Sequence, residues 1–153
     1  MIQGKWFSPG APLSEDALTV RRAVFGRGED ALDADSWSAV VYLEGTPAAA
    51  GRIWWKDDTF WLGDIGVLES LRGRKLGDLV LRLLLFKAQS HAARQVCLFS
   101  PVSLTGFFTR LGFRPSDAEP SPAGLVYLCI SGQDIDLDTC KNCGKTSCPN
   151  RKE

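Results

Sequence analysis

The sequence predicts an α/β (α+β) domain: a mixed central sheet of about six to seven strands flanked by helices, in the order β-α-β-β-β-α-β-α-β. Three observations carry this. Three strand-like runs follow one another between Ser38 and Val67, separated by short turns rich in Gly, Pro and Asp, which reads as a meander. Leu76, Leu79, Val80, Leu83 and Leu84 then repeat at the i, i+3, i+4, i+7, i+8 spacing of a helix face. Finally, the apolar run Gln95-Val96-Cys97-Leu98-Phe99 arrives one helix length later, which makes a β-α-β crossover with parallel strands.

Each element has a local reason. Ile2 to Phe7 is a first strand, closed by Ser8-Pro9-Gly10. Ser14 is placed as the N-cap of a helix whose first turn carries Glu15 and Asp16, and Gly26-Arg27-Gly28 ends it. The acidic stretch from Glu29 to Asp35 is irregular. Ser38 to Leu43, Ala48 to Trp55 and Thr59 to Val67 are the meander, with turns at Glu44 to Pro47 and Lys56 to Asp58. Leu81, Leu85 and Ala88 widen the apolar face of the long helix, so it packs on a sheet with little exposed. Ser103 to Arg110 suits a short helix capped by Gly112, and Gly124 to Ile130 is the last strand. This divides the chain into a domain over 1–130 and a polar, cysteine-bearing tail over 131–153. Trp37, Trp54, Trp55, Trp61 and Phe60 read as sheet and core residues, with Trp54 or Trp55 also suited to wall a ligand site.

Bulk properties narrow the function classes. The chain has 153 residues, 18 Lys+Arg against 18 Asp+Glu, so no global basic footprint points to nucleic acid or an anionic membrane. The first residues lack the apolar run of a signal peptide, and the apolar stretch from Leu79 to Phe86 is too short to span a bilayer. A cytoplasmic location is expected. Basic function must be local.

It is local at Arg72-Gly73-Arg74-Lys75-Leu76-Gly77, which follows the strand ending at Val67 and opens the long helix. Glycines allow the backbone close to a ligand, the open N–H groups of a first helical turn attract an anion, and three cations add full charges. A pyrophosphate fits that arrangement. An ordinary strand–turn–helix with a solvated basic turn also accounts for the same residues. Neither Gly-x-x-x-x-Gly-Lys-Ser/Thr nor Gly-x-Gly-x-x-Gly is present.

The loop resembles motif A of the GNAT superfamily, the acyl-CoA-dependent N-acetyltransferases, whose pattern is Arg/Gln-x-x-Gly-x-Gly/Ala. Arg72 and Gly77 match its ends, and Lys75 stands in place of the central glycine. Val20-Arg21-Arg22-Ala23-Val24-Phe25 is similar to the family's first helix, and Phe107-Phe108-Thr109-Arg110-Leu111-Gly112-Phe113 to its Phe-Tyr-x-x-x-Gly-Phe segment. With the element order, the resemblance covers nearly all of Ile2 to Ile130.

The resemblance implies acetyl transfer from acetyl-CoA, as cosubstrate, to a primary amine, with a small-molecule or peptide amine as acceptor. The strands at Leu62 to Leu68 and Gln95 to Phe99 would splay, and a bulge near Leu68 would accompany the opening. Amides near Val67 or Leu68 would polarise the thioester, and the pyrophosphate would lie on Arg72, Gly73, Arg74, Lys75, Leu76 and Gly77. Asp64, a lone carboxylate amid apolar neighbours, is the candidate base; a salt bridge to Arg52 across the hairpin is its structural alternative. The family's frequent Tyr proton donor falls on Phe108, which has no proton to give, leaving Cys97, Ser100, Ser103, Thr105 or water. That substitution keeps a second reading open: an acyl-CoA-binding or thiol/metal-sensing protein with weak catalysis on the same fold. The acidic segment is either a solvated loop or a lure for a cationic amine. No nucleic acid or membrane partner is expected, and a homodimer is left open.

His91, the single histidine, ends the long helix and reads as a surface residue favoured by the dipole. Cys97 and Cys129 read as small core residues. Cys140, Cys143 and Cys148 form C-x2-C-x4-C and are candidate zinc ligands, with the fourth from Cys129, His91 or a second chain; free thiols are the alternative.

Overall fold

Ser14 Oγ accepts hydrogen bonds from the Asp16 and Ala17 amides and starts α1 (Glu15–Phe25); Gly26, at φ 67°, closes it in the left-handed conformation. This is a computed structural model, and it describes residues 1–9, 14–117 and 120–137. The strands are β1 (Ile2–Phe7), β2 (Ser36–Leu43), β3 (Thr46–Lys56), β4 (Thr59–Val67), β5 (Gln95–Pro101), β6 (Arg114–Pro115) and β7 (Leu125–Ser131). The helices are α2 (Leu76–Ser90) and α3 (Thr105–Thr109).

The seven strands form one sheet in the order β1-β2-β3-β4-β5-β7-β6. Its pairs are antiparallel except β4 with β5, as a crossover through α2 requires. The meander turns are tighter than expected. Glu44 and Gly45, and then Asp57 and Asp58, each hold two successive positive φ values, so each hairpin closes on two residues and its strands run longer. The two-residue β6 carries no sequence signal, being too short for a period.

Alternation along the strands assigns the two faces. Ile53 and Leu62 face α2, whose Val80, Leu81, Leu84 and Leu85 are all buried. Each buried leucine stabilises the fold by roughly 1.5–3 kcal/mol. Val40, Tyr42 and Ala50 face the other way, onto Ala17 and Val20 of α1. Gly51 lets α2 approach β3: a Cβ there would sit 3.0 Å from Leu84 and Val80 carbons. The packed chain continues past Ile130. Gly132 N–H donates to Arg94 O at 2.9 Å, and Ile135 is buried in the core.

The acidic segment is neither irregular nor merely solvated. Ala31–Asp35 is a 3-10 helix, and Asp30 and Asp33 form a reciprocal capping box at its start.

Candidate active site

The sheet opens where β4 and β5 part. They pair at Phe60 with Val96 and Trp61 with Cys97, and then diverge. On the other edge of β4 the register to β3 jumps from Arg52↔Gly63 to Ala50↔Gly66. Asp64 and Ile65 therefore stand together opposite Gly51, a β-bulge with Asp64 at φ 51°. The bulge expected near Leu68 is thus earlier in the strand. Aspartate tolerates the left-handed region better than Leu does, which places the bulge there.

The backbone beyond the bulge separates the two candidate amides. Leu68 N–H donates to Ala48 O at 2.9 Å and is committed to the sheet. Strand alternation turns Val67, paired with Ala49, the other way, and its carbonyl accepts from Arg72 Nε at 3.2 Å. Val67 thus presents its backbone to the opened slot, and Leu68 does not.

The basic loop lies at the mouth of that slot. A cavity of about 250 Å³ is lined by Arg72, Gly73, Lys75, Leu76, Gly77 and the unforeseen Arg110, among others. Arg74 and Leu68 are not among its lining residues. Arg110 follows α3, three residues after Phe107, so helical spacing puts both toward the loop. Lys75 is the N-cap of α2 at φ 62°, ψ 22°, the conformation a glycine adopts most readily. Gly77 lies close under the slot, where an added Cβ would be 3.3 Å from Val67 Cγ2. Asp78 in the first turn is held by Arg82 at 2.7 Å, which offsets its charge beside the basic loop.

Two further cavities continue this groove. One of about 340 Å³, lined by Val24, Phe25, Ile65, Val67, Leu104 and Phe107 among others, shares Val67, Arg72, Gly77 and Phe107 with the loop cavity. The other, of about 250 Å³, reaches Arg27 and Asp64. Phe108 lines both of them, packed edge-on against Phe107 and Phe113. Phe108, which the sequence resemblance sets at the family's tyrosine position, therefore borders the slot without a hydroxyl.

Asp64 sits in a balanced cluster. Arg21 holds Asp33 through two hydrogen bonds at 2.8 and 2.9 Å. Arg52 holds Asp30 at 2.6 and 2.8 Å and reaches Asp33 at 3.1 Å. Asp64 Oδ2 lies 2.9 Å from Arg52 Nη2 and 3.7 Å from Arg21 Nε, while Arg27 donates to Oδ1. The approach to Arg52 is close but not aligned, so Oδ2 is left without a hydrogen-bond donor despite its burial. The expected Arg52–Asp64 contact across the hairpin is present, as one part of this larger cluster.

The Arg52 hydrogen bond holds the Asp30 carboxyl below its usual range against the opposing effect of burial. Burial pushes the Asp33 carboxyl up, but the Arg21 hydrogen bond and the Asp30 amide outweigh it, and its proton affinity is lowered. Two of the segment's acids, Asp30 and Asp33, are thus held by the buried Arg21 and Arg52 and do not stand free to draw a cationic amine.

The other proposed proton donors lie away from the slot chemistry. Cys97 is buried below the splay and accepts a hydrogen bond from Tyr127 Oη at 3.2 Å. Burial, then the Cys129 and Cys97 contacts, keep the proton on the Tyr127 hydroxyl. Ser100 and Thr105 donate to nearby carbonyls, Pro101 O at 2.8 Å and Val102 O at 3.1 Å; Ser103 lies in the turn between them. His91 caps the end of α2 and tilts against Trp37 at 5.2 Å. Trp54 packs on Arg52, and Trp55 is half exposed. Cys140, Cys143 and Cys148 lie outside the described residues; among the described residues, no group of three or more His, Cys, Asp or Glu side chains is placed to hold a metal ion. No helix among the described residues is long and apolar enough to cross a membrane.

Residues 5–113 match the acetyltransferase (GNAT) family. The chain is similar in fold to ElaA of Escherichia coli, at 22% identity and a TM-score of 0.70 over 86% of this chain and 100% of that one. It is also similar to an acyl-CoA N-acyltransferase from Pseudomonas aeruginosa, at 18% identity and TM-score 0.74 over 86% and 100% of the two chains. A GNAT family acetyltransferase from Elizabethkingia anophelis, solved with acetyl-CoA bound, superimposes with TM-score 0.65 at 17% identity, over 85% and 97%. No curated protein sequence matches the chain.

Proposed function

The chain belongs to the acetyltransferase (GNAT) family, and from that premise we propose that it transfers the acetyl group of acetyl-CoA to a primary amine by direct attack. The observation that carries the proposal is one continuous groove. It runs from a cationic helix start, past the open Val67 backbone, to a cavity containing a single carboxylate, Asp64.

In this reading Arg72, Lys75, Arg110 and the first-turn amides of α2 hold the pyrophosphate. The Val67 N–H polarises the thioester carbonyl as charge develops on its oxygen. The amine enters as an ammonium, displaces Arg27 and gives one proton to Asp64 at Oδ1, the oxygen that Arg27 meets in the cavity wall, while Oδ2 stays buried against Arg52 and Arg21. The freed lone pair forms the N–C bond, the C–S bond breaks, and the sulfur leaves with the electron pair. The amine's second proton reaches the thiolate through solvent, because Phe108 offers none.

Phe108 is also what favours the second reading, an acyl-CoA-binding protein with weak turnover. Thiol release from acetyl-CoA against a panel of amines separates the two. Amine-dependent release that Asp64→Asn lowers by about 10²–10⁴ is the expected result. Tight acetyl-CoA binding with no release above hydrolysis selects the weak-turnover reading.

A further inference from the structure

Arg27 and Asp64 form an ion pair in the wall of the acceptor cavity, and the two ends of that pair differ. Asp64 is 10% exposed and fixed from behind by Arg52 and Arg21, whereas Arg27 is 50% exposed. The Arg27 guanidinium is 5.3 Å from the Phe25 ring centre, on the chain just past the end of α1. The rest of the described lining is apolar or glycine, including Phe25, Leu62, Leu98, Phe99, Leu104 and Leu125.

Charge accounting restricts what displaces this pair. Behind it, Arg21 and Arg52 face Asp30, Asp33 and Asp64, an excess of one negative charge that Arg27 neutralises. A ligand with an ammonium alone competes with Arg27 for Asp64 and leaves the guanidinium without a counter-ion. A ligand with a carboxylate alone draws Arg27 away and leaves the excess uncompensated. A zwitterion replaces both halves at once and keeps the cluster neutral. Arg27 and Asp64 touch, so the ligand's charges must also be adjacent, which fits an α-amino acid and not a long ω-amino acid. The apolar walls and the volume of about 250 Å³ suit an aliphatic or aromatic side chain.

We infer that the acceptor is a free α-amino acid with an apolar side chain, its carboxylate held by Arg27 and its amine by Asp64. This rests on the acyl-transfer reading for its chemistry, but the binding site is testable without turnover.

The test is calorimetry on the full chain with L-leucine, L-leucinamide, 3-methylbutylamine and 4-methylpentanoate, each with and without CoA. Leucine should bind at least tenfold more tightly than each singly charged analogue. In Arg27→Gln that preference should collapse, and in Arg27→Lys, which keeps the charge, most of it should remain. Because Arg27 is half exposed, both variants should fold, Arg27→Lys near the parent melting temperature and Arg27→Gln somewhat below it for want of its neutralising charge, and a melt confirms a single cooperative transition in each. Equal binding of leucinamide or the amine, no binding of leucine, or an undiminished preference in Arg27→Gln each overturns the inference. CoA binding is read in the same titrations. CoA binding without leucine binding removes the amino-acid assignment and leaves acyl transfer standing. Leucine binding without CoA binding does the reverse.

Discussion

Arg72 Nε donates to the Val67 carbonyl at 3.2 Å, tying the basic loop to the open edge of β4. One side chain thus links the anion site to the backbone that faces the slot. Any ligand that pairs with that edge must take over the Val67 carbonyl, and an anion in the loop gives Arg72 a stronger partner. Loop and slot should therefore fill together.

The first prediction separates the loop's arginines. Arg72 lines the anion cavity and Arg74 does not. Arg72→Ala should weaken CoA binding by about 1–3 kcal/mol, the range for a lost charge-assisted hydrogen bond. Arg74→Ala should cost only its screened long-range attraction, under about 1 kcal/mol. Titration calorimetry at two salt concentrations reads both. Equal losses would mean that the loop acts as a diffuse positive patch and not as a built site.

Lys75 combines a charge useful for binding with a backbone conformation that disfavours it. A non-glycine residue at φ 62° costs about 1–2 kcal/mol, partly offset because glycine has more unfolded-state freedom, worth about 0.5–1 kcal/mol. Lys75→Gly should therefore raise stability by up to about 1 kcal/mol while lowering CoA affinity. Urea unfolding beside calorimetry checks the two signs. A variant that is both less stable and equally tight-binding would contradict the account.

The Asp30 and Asp33 carboxyls predict how the protein responds to acid. Both are lowered in the folded state from a reference of 3.8. Between the folded and unfolded values the unfolded chain binds more protons, so stability rises with pH there. The contribution is fully present above the unfolded value and is lost as pH falls through the folded values. Unfolding free energy measured from pH 6 down to pH 3 should fall below about pH 4. Asp30→Asn should flatten that fall; an unchanged slope would show that the carboxyls driving it lie elsewhere.

Most of the fold was legible because its elements carry strong local signals. The Ser14 cap, the Leu76-to-Leu84 stripe and the crossover to Gln95 each appear where the periodicity placed them. What escaped had no local signature. The pairing of Arg21 and Arg52 with Asp33 joins residues twelve or more positions apart, so charge composition alone read as a solvated loop. Arg110 lines the loop cavity only through the way α3 packs, and the bulge at Asp64 is set by register to β3, which a strand's own sequence does not encode. The loop could be proposed as an anion site from sequence because its chemistry is contiguous: Arg72 to Gly77 brings cations, glycines and a helix start together in six residues, and the structure places a cavity against them.

Phe108 stands where the sequence resemblance places the family's frequent Tyr, and its surroundings make that testable by gain of function. The ring is 6% exposed, lines both slot cavities and is held edge-on by Phe107 and Phe113. Phe108→Tyr adds one oxygen to a ring that borders both slot cavities, so the melting temperature should move by only a few degrees, equivalent to about 1 kcal/mol or less. If the hydroxyl reaches the leaving sulfur it supplies the proton that solvent otherwise brings. Thiol release at saturating acetyl-CoA should then rise tenfold or more, within the about 10²–10⁴ range of general acid catalysis, and should gain an alkaline limb as the phenol ionises near pH 10. CoA affinity should stay close to the parent's, because Phe108 is not among the residues lining the loop cavity. A faster variant with a new alkaline limb shows that proton delivery limits the parent enzyme. An unchanged rate in a folded variant shows either that the hydroxyl does not reach the sulfur or that proton delivery is not limiting; a structure of the variant with CoA bound separates the two.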